Sequence, residues 1–404
     1  MLAVLLSCLC FLNPGVNPLL AIAPPASIAQ SSMISPQQAL ERLFTESYVE
    51  QSWFAESFLN QVPLEQIRPT LDELTRSLGA FQSVEPSGTE FMVQFEQGRV
   101  PVRIALDAEG RIAGLVFKAP ILALSLDDTI AQFQALPGDV SVLVLNDGEE
   151  LTSLNPDQRL AVGSAFKLVV LDALRDQIET GDRQWDDVVT LQPHWRSLPS
   201  GIMQDWPVGT SLTLETLATL MVSLSDNTAT DALIDLVGRE DLEARSPQNT
   251  PFLTTRSLFA LKNPDNASLL DQYRSGNEAE RRAVLEQTTT APLPPVDLFS
   301  GDPIALDVEW FFSARELCQH MDHVADLPLM GINPGVATPA DWADVAFKGG
   351  AEPGVLNLTT HLKAYDGSTY CVVATWNNPK AAVNEAQLLG LYSSLIDAIQ
   401  LGIE

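Results

Sequence analysis

The sequence predicts a two-domain protein of mixed helices and antiparallel strands, an α/β protein of the α+β kind, and three observations support this fold class. The chain has 404 residues, which is longer than one ordinary hydrophobic core supports. Near its start, helical spacing of apolar residues gives way to strand-like alternation, which predicts helices packed on a small sheet. Further along, strands stand at both ends of a long helical stretch, which predicts one antiparallel sheet built from both ends of a second domain.

The start of the chain has features of an export signal. Residues 1–12 form an apolar run too short to span a bilayer, and the segment 27–29 (Ser-Ile-Ala) fits a small-x-small cleavage site. We therefore expect residues 1–29 to be a signal peptide and the mature protein to be periplasmic or extracellular, without stable membrane insertion. The basic start that such signals carry is missing, because no Lys or Arg precedes Arg42. A buried N-terminal helix is the alternative interpretation.

Residues 30–122 are predicted to form a small first domain. A helical region comes first, and strands follow at 90–97, 99–107 and 111–118, joined by short turns that contain glycine. This α+β pattern is similar to cystatin-like and NTF2-like domains. No catalytic pair of carboxylates stands out in it, so we expect a binding or spacer role.

Residues 123–404 are predicted to form the second, larger domain, with the boundary between the two domains near 119–127. A strand at 140–147 turns back through Leu154, and the middle of the domain is helical. Strands at 343–348, 355–366 and 368–376 then precede a terminal helix near 386–400.

The composition excludes several classes of function. Hydrophobic residues make up 46% and charged residues 19% of the chain, which is typical of a globular protein and not of a disordered one. The formal net charge of −29 repels phosphate backbones and anionic lipid, so a nucleic-acid partner is not expected. A small-molecule or peptide-like substrate fits better, and the sequence leaves the oligomeric state open.

The cysteines and histidines predict no metal site and no cofactor. Cys8 and Cys10 would leave with the signal peptide, and Cys318 and Cys371 are either two buried thiols or one disulfide. We favour free thiols, because a domain of this size needs no covalent cross-link. The pair His320-x-x-His323 lacks a third ligand nearby in the sequence, so a helix surface is the expected setting.

Ser164 and Lys167 lie one turn apart at the start of a predicted helix. Leu168, Leu171 and Leu174 follow at helical spacing, so the serine and the lysine share one face. A serine hydroxyl is a weak nucleophile near neutral pH, and a desolvated amine one turn away can take its proton. The helix N-terminus adds N–H groups beside the oxyanion that would form. Alone, this spacing is better explained by a helix cap and a surface lysine.

Ser225-Asp226-Asn227 forms a tight connection between two helical segments with apolar periodicity. A hydroxyl at Ser225 can relay a proton to a leaving group, and an amide at Asn227 can hold the acyl amide of a substrate. A helix cap is the alternative explanation for this tripeptide.

Lys348-Gly349-Gly350-Ala351 ends an apolar strand that we expect at the edge of the sheet. Lys348 would supply a fixed cation for a substrate carboxylate, and the two glycines would let a substrate approach the backbone. The N–H of Ala351 is a candidate oxyanion donor. Three weak signals in this order and context are strong together.

The order S-x-x-K, S-D-N and K-x-G resembles the motifs of class A β-lactamases and penicillin-binding proteins, over roughly residues 127–404. The resemblance implies a β-lactamase/transpeptidase-like fold, with Ser164 as the acylated nucleophile, Lys167 as its general base and Ser225 as the proton relay. It implies substrate contacts from Asn227, Lys348, Gly349, Gly350 and Ala351, and an oxyanion hole made by the N–H groups of Ser164 and Ala351.

Two departures from these motifs affect the expected activity. Gly349 stands where the family has Thr or Ser, which removes a hydroxyl that helps to fix the substrate carboxylate. No E-x-x-L-N loop lies between the second and third motifs, so the glutamate that activates the deacylating water has no counterpart. Glu352 is a substitute candidate, although we expect it to be structural or solvent-facing.

The segment 348–355 and the small first domain look more like a divergent group of two-domain serine hydrolases, related to a protein of clavulanic-acid gene clusters. This likeness implies a serine hydrolase that acts on an ester or amide through an acyl-enzyme on Ser164, with weak β-lactamase activity. A true class A-type β-lactamase and a non-hydrolysing receptor of the penicillin-binding kind are the alternatives.

Overall fold

The computed structural model describes residues 34–402. The predicted signal peptide, with Cys8 and Cys10, therefore lies outside the described residues. Within residues 34–402, no helix combines the length and the apolar character needed to cross a membrane.

The helices are, in chain order, Pro36–Thr45 (α1), Glu56–Leu59 (α2), Leu64–Leu78 (α3), Leu126–Gln134 (α4), Lys167–Glu179 (α5), Leu214–Ser223 (α6), Asn227–Val237 (α7), Arg239–Arg245 (α8), Thr255–Lys262 (α9), Ala267–Ser275 (α10), Glu278–Thr288 (α11), Ala314–Val324 (α12) and Glu385–Leu401 (α13).

The strands are Phe81–Ser87 (β1), Glu90–Phe95 (β2), Gly98–Leu106 (β3), Ile112–Phe117 (β4), Ile121–Leu122 (β5), Asp139–Asn146 (β6), Glu149–Leu154 (β7), Leu160–Ala161 (β8), Val188–Thr190 (β9), Ser211–Thr213 (β10), Phe311–Phe312 (β11), Asp344–Glu352 (β12), Val355–Lys363 (β13) and Thr369–Asn377 (β14).

The N-terminal part of the chain is a helix-on-sheet unit with its own apolar core. Strands β1 to β4 pair antiparallel in sequence order, and the short β5 pairs with β3. Helix α3 buries residues at helical spacing, Ile67, Leu71, Leu74 and Leu78, in the same apolar cluster as the sheet. The sequence predicted three of these strands and missed β1, in which polar residues and Pro86 weaken the strand pattern. The likeness to cystatin-like or NTF2-like domains stays a prediction.

The larger part of the chain is built on a five-stranded antiparallel sheet in the order β12-β13-β14-β6-β7. Its two N-terminal strands pair beside its three C-terminal strands, with β14 against β6. This confirms the prediction of one sheet made from both ends of the domain. Helices α5 and α12 share one apolar cluster with the sheet, and α4 and α13 share another. Strand β12 lies at the edge, as expected.

Cys318 and Cys371 form a disulfide that joins α12 to β14. The preference for two free thiols is therefore wrong. Both residues are nearly fully buried, and sequence spacing did not reveal that the helix packs directly over the central strand.

The two parts of the chain contact each other through β5 and α13. The backbone N–H of Leu122 donates to Ser394 Oγ at 3.1 Å, and Arg99 pairs with Asp397. Gly390 lets α13 approach the chain closely, because a Cβ there would lie 2.9 Å from the carbonyl oxygen of Pro120.

Candidate active site

Ser164 lies in a short 3-10 turn, Gly163–Phe166, that leads directly into α5. The turn follows β8 and starts with a left-handed residue, since Gly163 has a φ of 49°. A Cβ at Gly163 would lie 3.2 Å from the backbone nitrogen of Ala351. The sequence therefore needs a glycine before Ser164 to bring the turn against β12.

Lys167 begins α5 and its side chain is fully buried. Its Nζ donates to the carbonyl oxygen of Ser225 at 2.7 Å, to Ser225 Oγ at 3.2 Å and to Asn227 Oδ1 at 2.7 Å. Among residues 34–402, no hydrogen bond joins Lys167 Nζ to Ser164 Oγ. The first two motifs thus meet through Lys167. The hydrogen bond between a base and its nucleophile is commonly long without substrate and tightens when substrate binds.

The connection between α6 and α7 presents Ser225 to the two buried lysines. Ser225 has a φ of 54°, an unusual left-handed conformation for serine. The buried Asp226 holds this conformation by accepting from the backbone N–H groups of Ala229, Ile202 and Met203 at 2.7–2.9 Å. Asp226 thereby caps α7, as the helix-cap interpretation of the tripeptide predicted, and its bonds to Ile202 and Met203, which the motif did not reveal, fix the loop.

Lys348 on β12 reaches the same serine. Its Nζ lies 3.1 Å from Ser225 Oγ and 2.6 Å from the carbonyl oxygen of Gly349. Asn227 lies close by, and its Nδ2 donates to the carbonyl oxygen of Leu198 at 3.0 Å. All three motifs therefore converge on one cluster of polar atoms.

The backbone of β12 lies directly against the serine turn. A Cβ on Gly350 would lie 2.4 Å from the Ser164 backbone nitrogen and 2.1 Å from the Val162 carbonyl oxygen. Because Gly350 and Gly163 have no side chains, the backbone N–H groups of Ser164 and Ala351 can lie close together. Gly349 lies at the alternate strand position, where a Cβ would meet the ring of Phe347 at 2.9 Å.

Burial makes both lysines unusually weak bases. It lowers the pKa of Lys167 well below its usual value, and the nearby Lys348 ammonium lowers that pKa further. Burial also lowers the pKa of Lys348 to about 7. Lys167 is therefore able to exist as a neutral amine, the form that accepts a proton.

A cavity of about 260 Å³ opens beside Ser164. Residues on its wall include Ser164, Asn227, Thr255, Glu309, Ala351 and Glu352.

Thr255 is fixed in the cavity wall by a buried carboxylate on α7. Asp231 Oδ1 accepts from the backbone N–H of Thr255 at 2.6 Å and from its hydroxyl at 2.8 Å. Asp231 Oδ2 accepts from the backbone N–H of Arg256 at 2.9 Å. Burial raises the pKa of Asp231 to about 6. Its oxygens accept from Thr255 and Arg256 themselves, so Asp231 positions the wall.

A second polar cluster, made of Lys262, Glu309 and Glu352, borders the cavity. Lys262 Nζ lies 2.8 and 2.9 Å from the two carboxylate oxygens of Glu352 and pairs also with Glu309. The expectation that Glu352 is structural or solvent-facing is wrong in its second half, because the Glu352 side chain is only 12% exposed. The partners lie 90 and 43 residues away in the sequence, so no local pattern signalled this cluster.

The histidine pair lies elsewhere, on α12. His320 Nδ1 lies 2.6 Å from Asp172 Oδ2, and His323 bonds to the same carboxylate. The helix-surface interpretation is wrong for His320, whose side chain is 13% exposed. Asp172, Asp176 and His323 form a group close enough to hold a metal ion, but Arg245 already pairs with Asp176 at 2.5 Å.

Comparison with known proteins gives a partial sequence match. The profile described as the β-lactamase enzyme family matches residues 122–280, which include Ser164, Lys167, Ser225 and Asn227. The β-lactamase VEB-1 of Pseudomonas aeruginosa is 30% identical over 106 residues, which are 25% of this chain and 35% of that protein. The chain thus spans about a third of the length of this curated relative.

Solved structures with a similar chain path include two proteins of low sequence identity. A β-lactamase from Sphaerobacter thermophilus DSM 20745 is 21% identical and covers 69% of this chain and 97% of its own, with a TM-score of 0.47. PBP-A is 16% identical and covers 69% of this chain and 99% of its own, with a TM-score of 0.43.

The family profile covers the first two motifs, and the fold brings the third motif to the same cavity. Over residues 122–280 the chain is thus similar to the β-lactamase enzyme family.

Proposed function

We propose that this protein hydrolyses an ester or amide through an acyl-enzyme on Ser164. The observation that carries the proposal is the convergence of the Lys167 and Lys348 amines on Ser225 Oγ beside a serine turn packed against β12. This arrangement joins a nucleophile, a base with a lowered pKa, a proton relay and paired backbone donors, which are the parts that acyl transfer needs.

In the proposed acylation step, Lys167 takes the proton of Ser164 as Oγ bonds to the substrate carbonyl carbon. The N–H groups of Ser164 and Ala351 stabilise the negative oxygen that forms. Ser225 then passes its proton to the leaving group as the bond between that group and the carbonyl carbon breaks, and the Lys167 ammonium gives Ser225 a proton in return. Lys348 is a cation available to a carboxylate on the substrate.

We expect turnover of small activated esters and only weak hydrolysis of penicillins. No E-x-x-L-N loop lies between the second and third motifs, and that segment gives the cavity wall Thr255, held by Asp231, and the buried Glu309. General-base assistance is commonly worth about 10²–10⁴-fold. A penicilloyl ester should therefore remain on Ser164 long enough to be seen by intact mass.

The proposal predicts that Ser164→Ala abolishes both adduct formation and ester hydrolysis. The substitution removes the nucleophilic oxygen and leaves the backbone donors in place, so the fold should persist. The measurements are intact mass after fluorescent penicillin or an activated ester, steady-state ester hydrolysis, and thermal unfolding. Ser275→Ala, on the exposed face of α10, is the matched control.

The same labelling experiment separates the three candidate activities. Slow release of the penicilloyl group with faster ester turnover supports the proposed hydrolase. A permanent label with every substrate indicates a receptor of the penicillin-binding kind, and rapid multi-turnover hydrolysis of benzylpenicillin indicates a β-lactamase of the class A type. An adduct retained by Ser164→Ala would place the nucleophile elsewhere.

We also propose that the mature protein is exported to the periplasm or the extracellular space. The apolar start of the chain supports export, and the Cys318–Cys371 disulfide fits an oxidising compartment. Fractionation of cells with an antibody against the protein tests this, and a full-length reduced chain in the cytosol would contradict it.

A further inference from the structure

One face of β12 carries Lys348, Gly350 and Glu352 in succession. Side chains two residues apart on a strand point the same way, and each such step advances about 6.6 Å along the strand. Lys348 reaches Ser225, Gly350 lies against the Ser164 backbone nitrogen, and Glu352 reaches Lys262. Ser164 therefore lies between the amines of Lys167 and Lys348 on one side and the second polar cluster on the other. We call this second cluster, made of Lys262, Glu309 and Glu352, the carboxylate cluster.

Within the carboxylate cluster, Glu352 is the member nearest to solvent. Its side chain is 12% exposed, whereas the side chains of Lys262 and Glu309 are fully buried. Glu352 also lines the cavity with Ser164 and immediately follows Ala351, the candidate oxyanion donor. Glu309 also lines this cavity, and Glu352 is thus the more exposed of the two carboxylates on its wall.

Glu309 contributes an orphaned polar atom to the same wall. Its Oε2 is buried and has no hydrogen-bond partner among residues 34–402, and Glu309 is 5% exposed overall. An unpartnered buried carboxylate oxygen is costly. A proton shared between Glu309 and Glu352 removes this cost, because two adjacent carboxyl groups with one ammonium cannot both stay charged without penalty.

We propose that Glu352, supported by Glu309, is the general base that activates the water that releases small acyl groups from Ser164. This inference rests on the proposed acyl-enzyme function and assigns its missing deacylation base. The water oxygen bonds to the acyl carbonyl carbon while Glu352 takes one water proton. The bond from that carbon to Ser164 Oγ then breaks, and the proton returns to Oγ, which leaves a free carboxylic acid and the original hydroxyl.

The charged surroundings of the pair determine its pH dependence. Burial and the neighbouring carboxylate raise the pKa of Glu309 well above its usual value, and the Lys262 ammonium opposes this rise. Asp307 lies near Lys262 but is paired with Arg274 at 2.6 Å. Because a general base must be unprotonated, deacylation should increase as the pH rises.

The test measures acylation and deacylation separately in the whole protein with 4-nitrophenyl acetate. Glu352→Gln should keep the initial burst but lower steady-state turnover by about 10²-fold or more, and the acetyl adduct should accumulate in intact mass spectra. Glu309→Gln should keep the initial burst and still turn over, because Gln remains uncharged, as a Glu309 with a raised pKa is, and leaves Glu352 in place. Glu286→Gln, at an exposed site on α11, is the matched control and should behave as the unmodified protein.

The outcomes distinguish this inference from the proposed function. If Glu352→Gln folds, is acylated and hydrolyses the ester at the rate of the unmodified protein, the assignment of Glu352 as the base is wrong. The acyl-enzyme proposal still stands in that case. If the unmodified protein forms no adduct with any probe, the acyl-enzyme and its base fall together. Should Glu352→Gln fail to fold, Glu352→Asp decides, because it keeps the carboxylate but withdraws it by one methylene, and unchanged steady-state turnover in that variant overturns the assignment.

Discussion

Two buried lysines share one hydroxyl at the centre of the site. Lys167 and Lys348 lie 3.2 and 3.1 Å from Ser225 Oγ. Two ammonium groups so close to one atom repel each other, and burial disfavours the charge on both. The arrangement favours one neutral amine, and the fully buried Lys167 has its pKa lowered by burial and by Lys348. The lowered pKa of Lys167, the proposed base, thus comes from desolvation and a like charge.

The state of Lys348 predicts a pH dependence that differs between substrates. Burial lowers the pKa of Lys348 to about 7, so the free enzyme carries this cation below about pH 7 and loses it above. The KM of a substrate with a carboxylate should therefore rise with pH through this range, whereas the KM of an uncharged ester should not. Parallel kinetics from pH 5.5 to about 8.5 check this difference. Identical profiles would remove Lys348 from carboxylate binding.

At the scale of the strand, β12 needs a glycine where it meets the serine turn. Gly350→Ala should abolish acylation, because the added Cβ would lie 2.1 Å from the Val162 carbonyl oxygen and 2.4 Å from the Ser164 nitrogen. Both neighbours are backbone atoms and cannot rotate away. The turn must therefore shift, which separates the two candidate oxyanion donors, the N–H groups of Ser164 and Ala351. Burst kinetics with 4-nitrophenyl acetate and thermal unfolding measure the effect.

Gly114→Ala is the control for that strand substitution. It lies in β4, where an added Cβ would make an ordinary contact of 3.5 Å with Ala105. The control should retain full acylation. Normal acylation in Gly350→Ala would show that the turn and β12 need not lie so close.

Local periodicity was enough to predict the main elements, because a strand or helix is encoded in adjacent residues. The strands at both ends of the second domain and the S-x-x-K helix start were predictable in this way. The weakly patterned β1 was missed, and the disulfide was not chosen because sequence separation does not fix distance. The carboxylate cluster was missed for the same reason, since α9, a loop and β12 supply Lys262, Glu309 and Glu352.

At the scale of the whole molecule, every residue assigned to the site lies in the second part of the chain. A fragment of residues 123–404 should therefore form the acyl adduct at a rate comparable to that of the full protein. Its melting temperature should fall, because α13 loses the Leu122 bond and Asp397 loses the Arg99 cation. Asp397 is mostly buried, and burial already raises its pKa to about 6 with Arg99 present.

Intact mass and thermal unfolding of the fragment check this prediction. Acylation by the fragment would show that the first domain takes no part in the acylation reaction. A folded fragment that cannot be acylated would instead mean that the first domain completes the site, contrary to the division of labour that we infer.

The disulfide affects the free energy of unfolding of the part of the chain that carries the third motif. Cys318 and Cys371 are 53 residues apart, and the covalent loop that they close contains all of β12, with Lys348, Gly350 and Glu352. Closing a loop of this length restricts the unfolded chain by about 4 kcal/mol in the chain-entropy model. Ser164 and Ser225 lie outside the loop, and reduction would therefore lower the free energy of unfolding through the unfolded chain, while the ladder of β12 with β13 still holds the strand in the folded protein.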